Sequence, residues 1–285
     1  MKTTEDIISD RRFAPAHVVS FSGGVCSFWA AARVVDQHGP ENVTLLFADT
    51  MMEDEDLYRF NDEASRYLGM PLTVIRDGRT PWQVFADEGM MGNSRVDLCS
   101  RILKRDLLDL WHRTNCLEMT TTLYVGIDWT EEHRLHRLRR RKPRWRIEAP
   151  MCEPPLWDKC KMQTELRAIG IEPPRLYKLG FPHNNCGGFC IKAGQAHFAH
   201  LLKTMPDRYA MHEAHEEAMR ARLGDVSVMK DRRGGKTAPL TLRQLRERIA
   251  AGEDFDREDW GGCGCAIDAQ NAEALRAEKG DSHAS

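Results

Sequence analysis

Two sets of residues in this chain have types and spacings suited to chemistry. The first is Ser22-Gly-Gly-Val-Cys-Ser27, directly after the apolar run His17–Phe21. Ser22, Gly23 and Gly24 let main-chain amides come close to an anion, and Ser27 adds a hydroxyl donor. A helix starting inside this segment would aim the positive end of its dipole at the same place, which is the chemistry of phosphate binding. A tight turn with close helix packing would use the same glycines. The second set is Cys186-x3-Cys190 with Cys263-x-Cys265, each pair in a glycine-rich stretch. Four thiolates on two such turns suit either zinc or an iron-sulfur cluster, and spacing does not separate the two. Four unrelated buried cysteines are the alternative, and a bound metal is the favoured reading, since paired loop cysteines rarely sit next to so much glycine by accident.

These residues need elements to position them. The β-branched run His17–Phe21 reads as a strand, and the pattern from Cys26 to Gln37 as a helix. Val43–Ala48 is a buried strand, Leu57–Tyr67 an amphipathic helix and Leu72–Ile75 a further strand. Strand alternating with helix implies a parallel sheet with ligands at the carboxyl ends of its strands, where Asp49 and Thr50 lie. The acids Glu53–Asp56 read as a helix first turn. Asp97–Leu108 is expected to be helical and Thr122–Val125 to be a strand. Helices follow over 157–169, 194–202, 206–223 and 241–250, with a mobile basic loop over Lys230–Pro239. The division expected is an α/β domain over 14–150, a helical cysteine-rich region over 151–268 and a polar tail over 269–285.

Composition narrows the classes. Of 285 residues 41% are hydrophobic and 29% charged, enough for a full core. The net charge of −2 gives no global basic field, so nucleic-acid binding would need a local patch. His133–Arg146 supplies one, with seven arginines and one lysine around Trp145. Arginine forks suit phosphate and Trp suits base stacking, although a solvated helix face has the same composition. Nine cysteines, an odd count, point away from a disulfide scaffold. No apolar run reaches membrane-spanning length and the start lacks a signal-peptide pattern, so a soluble cytoplasmic protein is expected.

Ser22-Gly-Gly-x-x-Ser27 after an N-terminal strand resembles the pyrophosphate loop of the ATP pyrophosphatase (PP-loop, adenine nucleotide alpha hydrolase-like) superfamily, in its phosphoadenosine phosphosulfate reductase-like branch. The resemblance implies a Rossmann-like α/β fold, a parallel sheet flanked by helices, followed by a helical cysteine-rich metal-binding C-terminal region. It implies a nucleotide site at Ser22, Gly23, Gly24, Ser27, Asp49 and Thr50. Asp97-Leu-Cys-Ser-Arg-Ile-Leu-Lys104 resembles the Cys-Thr-x-x-Leu-Lys segment of the branch, adding Arg101 and Lys104 as phosphate or sulfate contacts. Gly126-Ile-Asp-x-x-Glu-Glu-x-Arg134 resembles the segment that closes on the substrates, with Gly126, Glu131 or Glu132, and Arg134 or Arg137 at the matching positions; it adds Gly126 and makes Arg134 the expected catalytic arginine alongside Ser22 and Ser27. Departures are Cys26 where many members carry Asp, Asp128 where they carry Arg, and a lone Cys99 where cluster-bearing reductases have two cysteines.

The activity so implied is cleavage of ATP between its α- and β-phosphates with Mg2+, adenylating an acceptor for sulfur transfer. The acceptor is expected to be nucleic acid, held through Arg134–Arg146, with a sulfur-donor protein as partner and a homodimer as a further expectation. By analogy with thiolating relatives the cysteines would hold a 4Fe-4S cluster, with Zn2+ as the alternative. Sulfonucleotide reduction is the second reading, although the Glu-Cys-Gly-x-His segment of those reductases is absent. A non-catalytic nucleotide-sensing or nucleic-acid-binding module with structural zinc is the third.

Overall fold

The computed structural model describes residues 15–92, 96–233 and 237–261. The elements in chain order are β1 His17–Ser20, α1 Val25–His38, β2 Val43–Asp49, α2 Glu55–Leu68, β3 Leu72–Arg76, α3 Pro81–Asp87 and α4 Leu107–Asn115. They continue with β4 Thr122–Val125, α5 Glu132–Arg141, β5 Arg146–Glu148, α6 Lys159–Ala168, α7 Arg175–Lys178, α8 Gln195–Thr204, α9 Pro206–Leu223, β6 Met229–Asp231, β7 Ala238–Leu240 and α10 Leu242–Ala250. The chain divides into two compact units. The first comprises Met1–Asp49, Glu53–Asp77 and Arg105–Asn185; the second Thr50–Met52, Gly78–Lys104 and Cys186–Ser285.

The first unit is built on a five-stranded sheet in the order β3-β2-β1-β4-β5, every pairing parallel. Successive strand residues face opposite sides, and the core follows that period of two. Val19, Leu45 and Tyr124 pack with Phe28, Phe60 and Met162 of α1, α2 and α6 on one face. Val18, Leu46, Leu123 and Ile147 pack with Leu135 of α5 on the other. Covering both faces explains why β1 and β2 read as continuous apolar runs. Residues 151–185 belong to this unit, and Met162, Leu166 and Ile171 share its first core cluster.

The acidic run before α2 is structural, as its position suggests. Asp54 is the N-cap and accepts from the Asp56 amide at 3.0 Å, while Arg175 bridges Asp54 and Glu55. Such acids satisfy free amides and favour the dipole at a helix start.

Two expectations are corrected. The helix over 97–108 is not uniform: Leu98–Ser100 is α-helical, Arg101–Asp106 widens into a π-helical stretch, and α4 begins at Leu107. The basic loop over 230–239 is flanked by an antiparallel hairpin, β6 with β7. The basic run ends on Arg146, the first residue of the edge strand β5.

In the second unit Glu216 of α9 is fully buried and accepts from the Val228 and Leu242 amides at 2.7 and 2.5 Å. Burial pushes its carboxyl up to about 7. His212, one turn earlier, stacks on Phe189 at 3.9 Å and pairs through Nδ1 with the Trp82 indole at 3.0 Å. Among the described residues no helix is long and apolar enough to cross a membrane.

Candidate functional site: a phosphate loop at the carboxyl end of the sheet

β1 ends at Ser20 and α1 starts at Val25, so four residues turn the chain from strand to helix. Gly23 makes the turn at φ +75°, and a Cβ there would fall 2.8 Å from both Asn61 Oδ1 and Leu57 Cγ. Backbone sign and space therefore both select glycine. Gly24 caps α1 in an extended conformation. Ser27, on the first turn of the helix, folds its hydroxyl back. Its Oγ accepts from the Ser22 and Gly24 amides, both at 3.2 Å, and donates to the Gly24 carbonyl at 2.8 Å. The Ser22 hydroxyl lies 3.3 Å away. Two amides thus converge on one oxygen at the positive end of a 14-residue helix with no acidic residue in its first turn.

The sheet order adds a second wall. β1 and β4 are neighbours whose connections leave to opposite sides, which makes the crevice between their carboxyl ends the switch point where such sheets take ligands. Gly126, the first residue after β4, packs directly on the loop: a Cβ on it would lie 2.6 Å from Ser27 Cα and 2.7 Å from Ser27 N. Ser22, Gly23, Gly24, Ser27 and Gly126 therefore form one cluster.

Residues not singled out in the sequence complete it. Asn184 donates from Nδ2 to the Gly23 carbonyl at 2.9 Å, and the Val25 amide donates to the Tyr177 hydroxyl at 3.4 Å. Asn184 and Asn61 are only 3% and 5% exposed. Yet Asn184 Oδ1 and both polar atoms of the Asn61 amide have no hydrogen-bond partner among the described residues. A buried polar group left unpaired costs about 1–3 kcal/mol, so two such amides around Gly23 mark a place where a polar ligand would gain most. The available sequence signal for Asn61 was a polar residue on the apolar face of α2, four after Leu57.

The other candidates are placed as follows. Asp49 closes β2, is 2% exposed, and accepts from the Tyr58 hydroxyl at 2.9 Å and Arg76 Nε at 2.8 Å. Burial and the Asp49 carboxylate raise the Tyr58 phenol. Arg134 lies on the first turn of α5, at the carboxyl end of β4, and pairs with the buried Glu131 at 2.6 Å. Asp128, at 1% exposure, accepts from the Thr130 amide at 3.0 Å. Burial, with Asp128 and Glu131 adding repulsion, holds the Cys26 thiol well above its ordinary value. Cys26 is therefore a neutral thiol, partly buried against the core.

Thr50, Arg101 and Lys104 belong to the second unit. Thr50 is buried, Arg101 exposed and Lys104 half-buried. Cys186 and Cys190 are also there, on a turn in which Cys186, Gly187 and Gly188 all take positive φ. Burial, with Cys190 nearby, pushes the Cys99 thiol up to about 11. Cys263 and Cys265 lie outside the described residues. Among the described residues no group of three or more His, Cys, Asp or Glu side chains is placed to hold a metal ion. The four-thiolate set is therefore not assembled from the described residues alone.

The basic run splits along α5. Arg134 stands at the loop end; Arg139, Arg140, Arg141 and Arg144 stand at or beyond the helix C-terminus. Arg139 and Arg146 pair with Glu148 at 2.9 and 3.2 Å, and Lys142 pairs with Asp109.

No family model and no curated protein matches the chain. Among solved structures it is similar to the phosphoadenylyl-sulfate (PAPS) reductase from Candida auris in its phosphate complex. Identity there is 13% over 64% of this chain and 94% of that one, with a TM-score of 0.41. It is also similar to the NH3-dependent NAD synthetase from Campylobacter jejuni in complex with nitrate, at 11% identity over 77% of this chain and 89% of that one, with a TM-score of 0.37.

Proposed function

We propose that the chain is an ATP pyrophosphatase of the adenylating type, acting on a nucleic-acid acceptor for sulfur transfer. The observation that carries this reading is the convergence of the Ser22 and Gly24 amides on one oxygen at the start of α1, closed by Gly126 at the switch point. In the free chain that oxygen is Ser27 Oγ; in the complex a phosphate oxygen takes the amides and Ser27 donates to it.

An acceptor oxygen attacks the α-phosphorus, the bond to the bridging α–β oxygen breaks, and pyrophosphate leaves with its charge facing the loop amides and the helix dipole. The acceptor then carries AMP, whose departure lets a sulfur nucleophile take its place. Arg134, at the same end of the sheet, would meet negative charge on the α-phosphate once it leaves Glu131. Asp49 would hold the adenosine end.

Magnesium would neutralise the departing pyrophosphate. Asp49, Asp54 and Asp128 already accept internal hydrogen bonds, so the metal would be carried mainly by the nucleotide phosphates. A 4Fe-4S cluster, or zinc, would use Cys186 and Cys190 with Cys263 and Cys265. Its chemistry is sulfur handling or structural clamping respectively. Iron, sulfide and zinc assays on anaerobically purified protein decide between them.

The test of the function is the product pattern from ATP labelled at the α-phosphate, with single-stranded DNA or RNA as acceptor. Pyrophosphate matched by α-label in adenylated acceptor and AMP together, lost in Ser27→Ala, is expected. Release of ADP and inorganic phosphate would overturn the reading.

A further inference from the structure

The topology places most of the arginine run away from the phosphate loop. The β4–α5–β5 connection joins parallel strands, so α5 leaves the carboxyl end of β4 and returns the chain to the amino end of β5. Arg146 starts β5 in register with Thr122, and Thr122 with His17, the first residue of β1. The loop sits beyond the other end of β1. Four residues at about 3.3 Å each make that strand roughly 13 Å long, and the ten residues of α5 span about 15 Å.

At this amino end lies an open cleft of about 300 Å³ between the end of α4 and the turn joining α5 to β5. The turn is Lys142-Pro143-Arg144-Trp145, closed by the Trp145 amide on the Lys142 carbonyl at 3.1 Å. Proline at its second position presets the bend and presents Arg144 at the tip. Arg113 enters from α4, a cation the sequence run does not include. Arg113, Arg141 and Arg144 are exposed and make no ion pair among the described residues. Asp109 and Glu118 are the acids of the lining, and Asp109 is already paired with Lys142. Trp145 is half-buried against the core, with His112 behind it at 5.7 Å. Burial and Lys142 push His112 down to about 4, so the backing ring is neutral at ordinary pH.

We propose that this cleft is an exosite for single-stranded nucleic acid. Arg113, Arg141 and Arg144 hold consecutive phosphates and Trp145 stacks on a base, while the reaction takes place at the opposite end of the sheet. Guanidinium forks beside one aromatic face match a phosphodiester strand better than they match scattered carboxylates. The cleft rests on the reading of the acceptor as nucleic acid and adds where that acceptor is held.

The test is fluorescence anisotropy of a labelled 12-nucleotide single strand on the whole chain across a salt series, with ATP affinity measured in the same samples. Arg141→Ala with Arg144→Ala should weaken binding at least tenfold. It should also flatten the slope of log affinity against log salt by about 1.4, given about 0.7 per phosphate contact on single strands. Trp145→Ala should weaken binding several-fold with the slope retained, and Trp145→Phe should restore most of it. Unchanged oligonucleotide binding in the double variant overturns the exosite and leaves the acceptor reading standing. No binding by the unmodified chain at low salt overturns both. Equal competition by polyglutamate of the same charge overturns the nucleic-acid assignment of the cleft.

Discussion

The two ends of the five-stranded sheet are both suited to anions and do it by opposite means. At the carboxyl end, the Ser22 and Gly24 amides, a helix dipole and buried asparagines crowd around a few ångströms of space. At the amino end, long exposed arginines ring an open cleft. Backbone donors are fixed by the fold and lose no side-chain entropy on binding, so they suit a small ligand that must be held in one geometry. Flexible guanidinium groups lose entropy on each contact and are screened by salt, so they suit a polymer that is gripped and released.

The largest break in this comparison should come from Gly126→Ala. Its Cβ would strike Ser27 Cα and N, which are backbone atoms that cannot move without displacing α1. ATP affinity should fall more than a hundredfold and stability by about 1–3 kcal/mol; a variant with ordinary ATP binding would show that β4 does not form a wall of the site. Ser27→Ala is the next step down. It removes the hydroxyl that meets both amides, and isothermal titration should show about tenfold weaker ATP binding, equivalent to roughly 1.4 kcal/mol. Oligonucleotide binding should be unaffected, and a parallel loss there would merge the two ends into one site.

A smaller effect, of mixed sign, is expected for Asn61→Leu. Both polar atoms it removes are unpaired, so the melting temperature should rise while ATP affinity falls several-fold. A lower melting temperature with unchanged affinity would make Asn61 a packing residue only.

The smallest effect concerns pH at the amino end. His112 titrates at about 4 in the folded chain, below its ordinary 6.5, so the unfolded chain binds more protons between those values. Its contribution is constant above about 6.5 and becomes destabilising as pH falls towards 4. His112→Phe should therefore melt higher than the unmodified chain at pH 5, with the gap narrowing at pH 8. A gap that is the same at both pH values would point to packing instead of titration.

How much of this was legible follows the same contrast. The loop could be read because Ser-Gly-Gly after an apolar strand states both a turn and a close approach. The sheet could be read because β1 and β2 are buried on both faces. β5 was not readable: a three-residue edge strand with Ile147 between charged neighbours carries no periodic signal, and charge is what sheet edges use to stay unpaired. α3 was missed although Thr80-Pro-Trp-Gln83 forms a capping box, a signal that was present. The separation of Arg134 from Arg141 and Arg144 was hidden because adjacency in sequence does not say which way a crossover helix runs. Asn184 stood inside a stretch whose cysteines drew the metal reading, and its partner, the Gly23 carbonyl, lies far back in the chain.

The way the two compact units share the chain has a consequence for synthesis. Gly78–Lys104 emerges from the ribosome well before Cys186, where the rest of its own unit resumes. At about 5–20 residues per second the wait is on the order of 4–16 s. During it, Trp82 has neither Phe189 nor His212 to pack against, although its indole ends up 4% exposed. The pieces of the first unit, which flank that segment in sequence, can meanwhile complete their own fold. Nascent chains stalled between residues 105 and 185 should therefore be a preferred target for chaperones that bind aromatic segments.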